Sequence, residues 1–106
     1  MMETEHEVCE LSRSVLIAIV NNRMAFARWA ELCDCLTESD LPDYREAFDV
    51  AADASKEEIL AAAMDAHYYE AMPCIESPFM DVLCSAYNVL DWVWIAGEFM
   101  RRLSKC

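Results

Sequence analysis

A chain of 106 residues with 57% hydrophobic side chains has the length and apolar content of one folded domain, and we expect residues 1–106 to form it. Twenty acidic and eight basic residues give a net charge of -12, which repels DNA, RNA and anionic membranes and favours a basic partner. The single glycine argues against tight hairpins, phosphate-binding loops and nucleophile turns, because these depend on glycine.

The first predicted element is a long helix from about Glu3 to Cys35. Its apolar residues recur mostly three or four apart, as one buried helix face requires. These residues are Val8, Leu11, Val15, Ile19, Phe26, Ala30 and Cys33. Asn21 and Asn22 are poor helix formers, so two helices with a bend at this point are the alternative.

A short helix is predicted next, from about Leu41 to Asp53. The preceding residues 37–40 are rich in capping side chains. Pro42 suits the first turn of a helix, where backbone N–H groups lack partners inside the helix.

The third helix is predicted from about Lys56 to Met72, where Pro73 ends it. Ser55 and Glu58 match a capping box, in which each side chain accepts a hydrogen bond from the backbone N–H of the other residue.

The last predicted helix begins with Ser77 as cap and Pro78 at its first position, and reaches about Ser104. It is apolar on nearly all sides through residues 89–95, which is typical of a central helix packed on several faces. An uncovered remainder would serve as a dimer or partner interface. The sequence thus predicts an all-α fold, a compact bundle of four to five helices.

Acidic residues are concentrated between Glu31 and Glu58, where ten carboxylates and only two cationic side chains, Arg45 and Lys56, give a net charge of -8. The candidate partner-binding residues are Glu38, Asp40, Asp43, Glu46, Asp49, Asp53 and Glu57. From Asp40 to Asp53 they step by three or four residues, which on a helix places a charge roughly every 4.5–6 Å. DNA carries a phosphate about every 3.4 Å on each strand. A solvated face without function is the simpler interpretation.

No pattern in the chain indicates catalysis. Cys33 and Cys35 are separated by one residue, which is not the usual chelating or redox spacing. His6 and His67 are the only histidines, so a site built from several histidines is excluded. We therefore expect no enzyme activity, no catalytic residues, no metal and no cofactor, and we interpret the cysteines as structural thiols. A thiol- or metal-dependent function is the alternative.

The amino terminus is acidic where a secretory signal would be basic, and the apolar run from Val15 to Val20 is too short to span a bilayer. We therefore expect a protein of the cytoplasm with reduced cysteines. Four aromatic residues are candidates for interface anchors, because tyrosine and tryptophan dominate binding hot spots. They are Tyr68, Tyr69, Trp92 and Trp94.

The small, glycine-poor, helical and strongly acidic chain resembles in type the phage-encoded anti-defence proteins, which include DNA-mimic antirestriction proteins and acidic anti-CRISPR proteins. Residues 66–70, Ala-His-Tyr-Tyr-Glu, are similar to a short segment of an acidic antirestriction protein. The resemblance implies an inhibitor that occupies a basic groove of a restriction enzyme or CRISPR effector in the host cytoplasm and excludes its nucleic acid. Arg101, Arg102 and Lys105 depart from the most acidic DNA mimics.

Two functions follow from these observations. The first is a non-enzymatic inhibitor that contacts the basic surface of a nucleic-acid-binding protein and binds neither nucleic acid nor membrane itself. The alternative is a helical adaptor or a homodimeric structural protein that associates through the apolar surface around Trp92 and Trp94.

Overall fold

The structure, a computed structural model, describes residues 10–104, which contain six helices and no strand. In chain order the helices are α1 (Glu10–Asn21), α2 (Arg23–Cys35), α3 (Leu41–Ala47), α4 (Lys56–Ala71), α5 (Phe79–Asn88) and α6 (Trp92–Ser104). The all-α class is confirmed. The number of helices exceeds the predicted four to five, because the long helix predicted at each end of the chain is broken in two.

The first break lies at Asn22, the weak point that the sequence indicated. Asn22 has an extended backbone, and its side chain accepts a hydrogen bond from the backbone N–H of Ala25 at 2.9 Å. This is the hydrogen bond of an N-cap residue, so Asn22 starts α2 rather than merely weakening a continuous helix.

The second break, at residues 89–91, was not predicted. The side chain of Asp91 accepts a hydrogen bond from the backbone N–H of Trp94 at 3.0 Å and thereby caps α6. The predicted cap at Ser77 is wrong, because α5 begins at Phe79 after Pro78 and has no side-chain cap. An apolar run through this region concealed the break, since both helices place apolar residues near it.

The third helix of the structure, α3, is shorter than predicted and ends at Ala47 instead of Asp53. Two residues later Asp49 has φ 57°, a left-handed conformation that no α-helix can continue through. The next helix, α4, has the predicted capping box: Ser55 N–H donates to Glu58 at 2.8 Å, and Glu58 N–H donates to the Ser55 hydroxyl at 3.1 Å.

Helices α4 and α6 form the centre of the bundle, with α1 and α2 packed around them. The core comprises Leu16, Ile19, Trp29, Leu60, Met64, Ile95 and Phe99, all of them buried. The central position predicted for the last helix is confirmed for α6 alone, because no residue of α5 is buried. Across residues 10–104, no helix is both long and apolar enough to cross a membrane.

Candidate protein-binding surface

The acidic segment, residues 31–58, carries its seven candidate residues on the outside of the molecule. All seven side chains are exposed. They are Glu38, Asp40, Asp43, Glu46, Asp49, Asp53 and Glu57. Among residues 10–104, none of these carboxylates forms an ion pair with a cationic side chain. Their charges are therefore directed at solvent and at any partner that approaches.

A small apolar cluster holds the inner side of the acidic segment. Leu36, Leu41, Ala54 and Ile59 are buried together, and they are separate from the main core. The rings of Tyr44 and Phe48 pack against this cluster and stack on each other with centroids 6.3 Å apart. The inner side of the segment is thus held by apolar contacts, which leaves its outer side free to carry charge.

Arg45 fixes the irregular part of the acidic segment to α3. Its guanidinium Nε donates a hydrogen bond to the backbone carbonyl of Ala54 at 2.9 Å, across the turns that follow α3. A cationic side chain in an acidic region would ordinarily neutralise a carboxylate, but Arg45 binds a carbonyl oxygen instead. Its positive charge stays beside Glu46 and Asp49, with which it lines one concavity, but among residues 10–104 it forms no ion pair with a carboxylate.

The predicted helical stripe from Asp40 to Asp53 exists only in part. Asp40 occupies the N-cap position of α3 without a side-chain cap, and Asp43 and Glu46 lie within the helix. The three keep the spacing of three residues, which corresponds to about 4.5 Å along a helix. Asp49 and Asp53 lie in turns beyond the end of α3, so the regular spacing does not reach them. The sequence pattern predicts a helix there because it carries no sign of the left-handed Asp49.

The candidate residues have different neighbours. Glu46 and Asp49 line one surface concavity of about 380 Å³ together with Pro42. The side chain of Glu57 lies at the start of α4 and passes close to Gly97 of α6. The structure therefore brings Glu46 and Asp49 together but places Glu57 beside α6.

The cysteines near the end of α2 have the character of ordinary thiols. Burial, and to a smaller extent the charge of Asp34, raises the pKa of Cys33 from 9.0 to about 11, so the side chain is a protonated thiol at neutral pH. A hydrogen bond with Cys35 is the main reason that the pKa of Tyr44 is raised, and desolvation and the charges of Cys35 and Asp40 add to it. Cys33 therefore lacks the lowered pKa of a reactive cysteine.

No group of three or more histidine, cysteine or acidic residues suited to a metal ion occurs in the part of the chain that the structure describes. His67 packs its ring edge-on against Trp29 at 5.5 Å and Tyr68 at 4.9 Å. The predictions that involve His6, Cys9 and Cys106 lie outside the described residues.

The four aromatic residues considered as interface anchors have different positions. Tyr68 is half-buried, stacks on Trp92 at 5.7 Å and accepts a hydrogen bond from Trp29 Nε1 at 3.0 Å. Trp92 is only 9% exposed, so this candidate anchor belongs to the core. Trp94 is half-buried beneath the guanidinium of Arg13. Tyr69, at 63% exposure, is the one of the four that presents most of its ring to solvent.

A second surface, which the sequence did not reveal, is an apolar groove between α5 and the body of the bundle. The groove has a volume of about 330 Å³. Its walls include Leu11 from α1, Tyr68 and Met72 from the α4 side, Leu83 and Tyr87 from α5, and Trp92 from α6. Apolar surface that a folded chain leaves open in this way is typical of a binding site.

Tyr87 connects α5 to the bundle beside this groove. Its hydroxyl lies 2.7 Å from the backbone carbonyl of Asp65 and donates to the carboxylate of the same residue at 2.5 Å. Burial first, and then the hydrogen bond and charge of Asp65, raise the pKa of Tyr87, while the nearby Trp92 indole partly offsets the rise. That indole N–H is buried and has no acceptor in bonding geometry among the described residues.

No family model matches the sequence, and comparison with curated proteins and with solved structures gives no significant match.

Proposed function

We propose that the protein is a non-enzymatic inhibitor that binds a nucleic-acid-processing defence protein, either a CRISPR effector or a restriction enzyme. In this proposal the acidic segment docks on the basic groove of that protein and blocks access of nucleic acid. The inhibitor acts in the cytoplasm of the host cell and would be phage-encoded, as in the proteins that the chain resembles.

The observation that carries this proposal is the set of exposed and unpaired carboxylates on the acidic segment. Seven such side chains lie on one segment with a net charge of -8. An ion pair within the protein would have to be broken before a partner could use the same carboxylate, at a cost in desolvation and entropy. Carboxylates without an ion pair avoid that cost, and they also accelerate the approach of a basic partner.

The construction of the segment also supports the proposal. A charged surface that keeps its shape pays less entropy on binding than a flexible one. Here the apolar cluster around Leu36 and Ile59 and the bond from Arg45 to Ala54 hold the carboxylate-bearing backbone in place. Asp40, Asp43 and Glu46 share the spacing of α3, so they are the residues to which we assign the leading role.

The test begins with capture of partners from a lysate of the native host at low and at moderate salt. A nucleic-acid-binding protein that DNA or RNA displaces would then be purified, and its affinity measured by calorimetry. Replacing Asp40, Asp43 and Glu46 by lysine should weaken binding at least about tenfold at low salt, and the loss should shrink as salt is raised.

A matched control separates the position of the charges from their number. Replacing Glu70, Glu76 and Asp81 by lysine changes the net charge by the same amount, and these three residues are also exposed. The proposal requires that this control variant bind much more tightly than the variant of the acidic segment. Equal affinities of the two variants, or an unchanged affinity of the first, would exclude a specific acidic docking surface.

A second candidate function is a helical adaptor or homodimeric structural protein that associates through an apolar helix face. The observation that favours it is the exposure of Phe79 at 69% and Val82 at 65% on α5, rather than the two tryptophans considered from the sequence. Association that persists at high salt and is lost on Val82→Asp would support it, as measured by sedimentation. A monomer at every salt concentration would rule out the homodimer.

A further inference from the structure

We propose that the apolar groove between α1, α4 and α5 binds an amphipathic helix of another protein whose polar face is basic. The site is distinct from the acidic segment and does not depend on the function proposed for it. Three features support the assignment: the apolar face of α5, the charge around the groove, and the extent of apolar surface beyond it.

The apolar face of α5 is wider than its contact with the bundle. At 100° per residue, Asp81, Ser85 and Asn88 fall on one side of the helix, and the apolar residues occupy the rest. Leu83 and Tyr87 line the groove, while no residue of α5 is buried. An amphipathic helix normally buries its apolar face, so α5 has apolar surface left over for a partner.

The part of the chain that supplies most of the walls of the groove carries only negative charge. Residues 57–100, which supply α4, α5 and most of α6, contain eight acidic residues and neither lysine nor arginine. Asp65 accepts the hydrogen bond of the groove residue Tyr87, and Glu70 and Asp91 are next in sequence to groove residues. Of the cations on the first two helices, Arg13 lies over the ring of Trp94, and Arg28 lines the neighbouring concavity that shares Val15 and Tyr68 with the groove. A partner with basic side chains flanking its apolar face therefore complements this site.

The other occupants fit less well. A second copy of the chain carries the same net charge of -12 and would be repelled. An anionic membrane would be repelled for the same reason. A small apolar molecule would fill the groove itself, but it would leave the adjoining Phe79 and Val82 exposed. A helix covers both, because its side chains at every third and fourth position follow one face over several turns.

The test uses the full chain and a synthetic amphipathic peptide of about 18 residues, long enough to form a helix on binding. Leucines occupy one face of the peptide and lysines the other. A control peptide has the same composition in scrambled order, so that its charge is kept while the leucine face is destroyed. Calorimetry should show binding of the amphipathic peptide at least about tenfold tighter than that of the scrambled one.

Variants of the protein locate the binding site. Leu83→Asp places a charge in the groove and should weaken binding of the amphipathic peptide at least about tenfold, whereas Ile17→Asp, on an exposed part of α1, should leave it unchanged. Circular dichroism of both variants should match that of the parent, because neither residue is buried.

The outcomes are distinguishable. No binding, equal binding of the scrambled peptide, or equal affinity of Leu83→Asp and the parent would each overturn the proposal, as would a concentration-dependent dimer that excludes the peptide. The variant in which Asp40, Asp43 and Glu46 become lysine should bind the peptide with an affinity close to that of the parent. Loss of the docking function proposed for the acidic segment would therefore not contradict peptide binding in the groove. Absence of peptide binding would likewise not contradict the function proposed for the acidic segment.

Discussion

The hydroxyl oxygen of Ser12 accepts a hydrogen bond from the backbone N–H of Asp91 at 2.9 Å, although 79 residues separate the two in sequence. Among residues 10–104, Ser12 is the one polar residue that is completely buried. The bond joins α1 to the turn between α5 and α6, and it satisfies a backbone group that no helix can satisfy at this position.

Removal of this hydroxyl should destabilise the fold. Ser12→Ala leaves the N–H of Asp91 without its acceptor, and we expect the free energy of unfolding to fall by about 1–2 kcal/mol. Urea titration followed by circular dichroism measures this change. The exposed Ser14, also on α1, provides the control. If Ser12→Ala and Ser14→Ala unfold at the same urea concentration, the bond contributes nothing to stability.

The only glycine of the chain lies within α6, where its flexibility has no structural use. A methyl group at Gly97 would lie 3.9 Å from Cγ of Glu57, an ordinary van der Waals distance. Gly97→Ala should therefore raise the free energy of unfolding by about 0.5–1 kcal/mol through helix propensity. Thermal or urea unfolding measures the gain, and a loss of stability would mean that α4 and α6 approach too closely for a side chain.

The planar guanidinium geometry of Arg45 should contribute more to stability than its positive charge does. Arg45→Lys keeps the positive charge but lacks the planar Nε–H that reaches the carbonyl of Ala54. We expect a loss of about 0.5–1.5 kcal/mol of stability and faster amide hydrogen exchange in residues 48–54. Arg23→Lys, at an exposed position of α2, is the matched control. Unchanged amide hydrogen exchange in the Arg45 variant would show that the bond from Arg45 to Ala54 does not hold these turns in place.

Cys33 should be slow to alkylate at pH 8, because the thiolate is the nucleophile and burial raises the pKa of Cys33 to about 11. The exposed Cys35 and Cys74 provide the comparison within the same molecule. Iodoacetamide labelling read by peptide mass spectrometry should modify both before Cys33, and unfolding should abolish the difference. Equal rates in the native protein would mean that Cys33 is more accessible than its position indicates.

The raised pKa of Cys33 also makes the free energy of unfolding depend on pH in the alkaline range. The unfolded thiol has the ordinary pKa of 9.0, whereas the native thiol holds its proton up to about pH 11. The contribution of Cys33 to stability is therefore complete below pH 9 and is lost as the pH rises toward 11. In Cys33→Ser the fall of stability over this range should be smaller than in the parent, as urea titrations at several pH values will measure.

The tyrosine that connects α5 to α4 should control how firmly α5 is held. Tyr87→Phe removes the hydroxyl that donates to Asp65 and should increase hydrogen exchange in α5, with little change in the core helices. Tyr69→Phe, next to Tyr87 and exposed, keeps the aromatic contact and serves as control. Exchange that rises equally in α4 and α6 would show that α5 is integral to the core.

The sequence allowed those parts of the fold to be predicted that depend on local chemistry. The capping box of Ser55 and Glu58 and the weakness at Asn22 are properties of a few adjacent residues, and both were correctly located. The break at Asp91 combines a local cap on Trp94 with a bond to Ser12, which is far away in sequence. The apolar run of residues 89–95 masks the local signal, and no local pattern reports the distant contact.

The candidate sites show the same limit. Exposure of the acidic residues follows from their charge, but no local pattern in the sequence marks Asp49 as the left-handed residue beyond the end of α3. The groove has no local signature either, because α5 by itself resembles any amphipathic helix. What distinguishes α5 is that the bundle leaves its apolar face uncovered.

Asp91 marks the point where the helix of the last quarter of the chain is interrupted. Without a break, the residues from Phe79 to Ser104 would form a rod of about 39 Å at 1.5 Å per residue, which would carry the first half of the rod away from α1 and α4. The apolar composition around residue 90 favours such a rod, and two hydrogen bonds at one aspartate oppose it. The two bonds at Asp91 therefore interrupt the helix between α5 and α6, so the last quarter of the chain forms two helices instead of one rod.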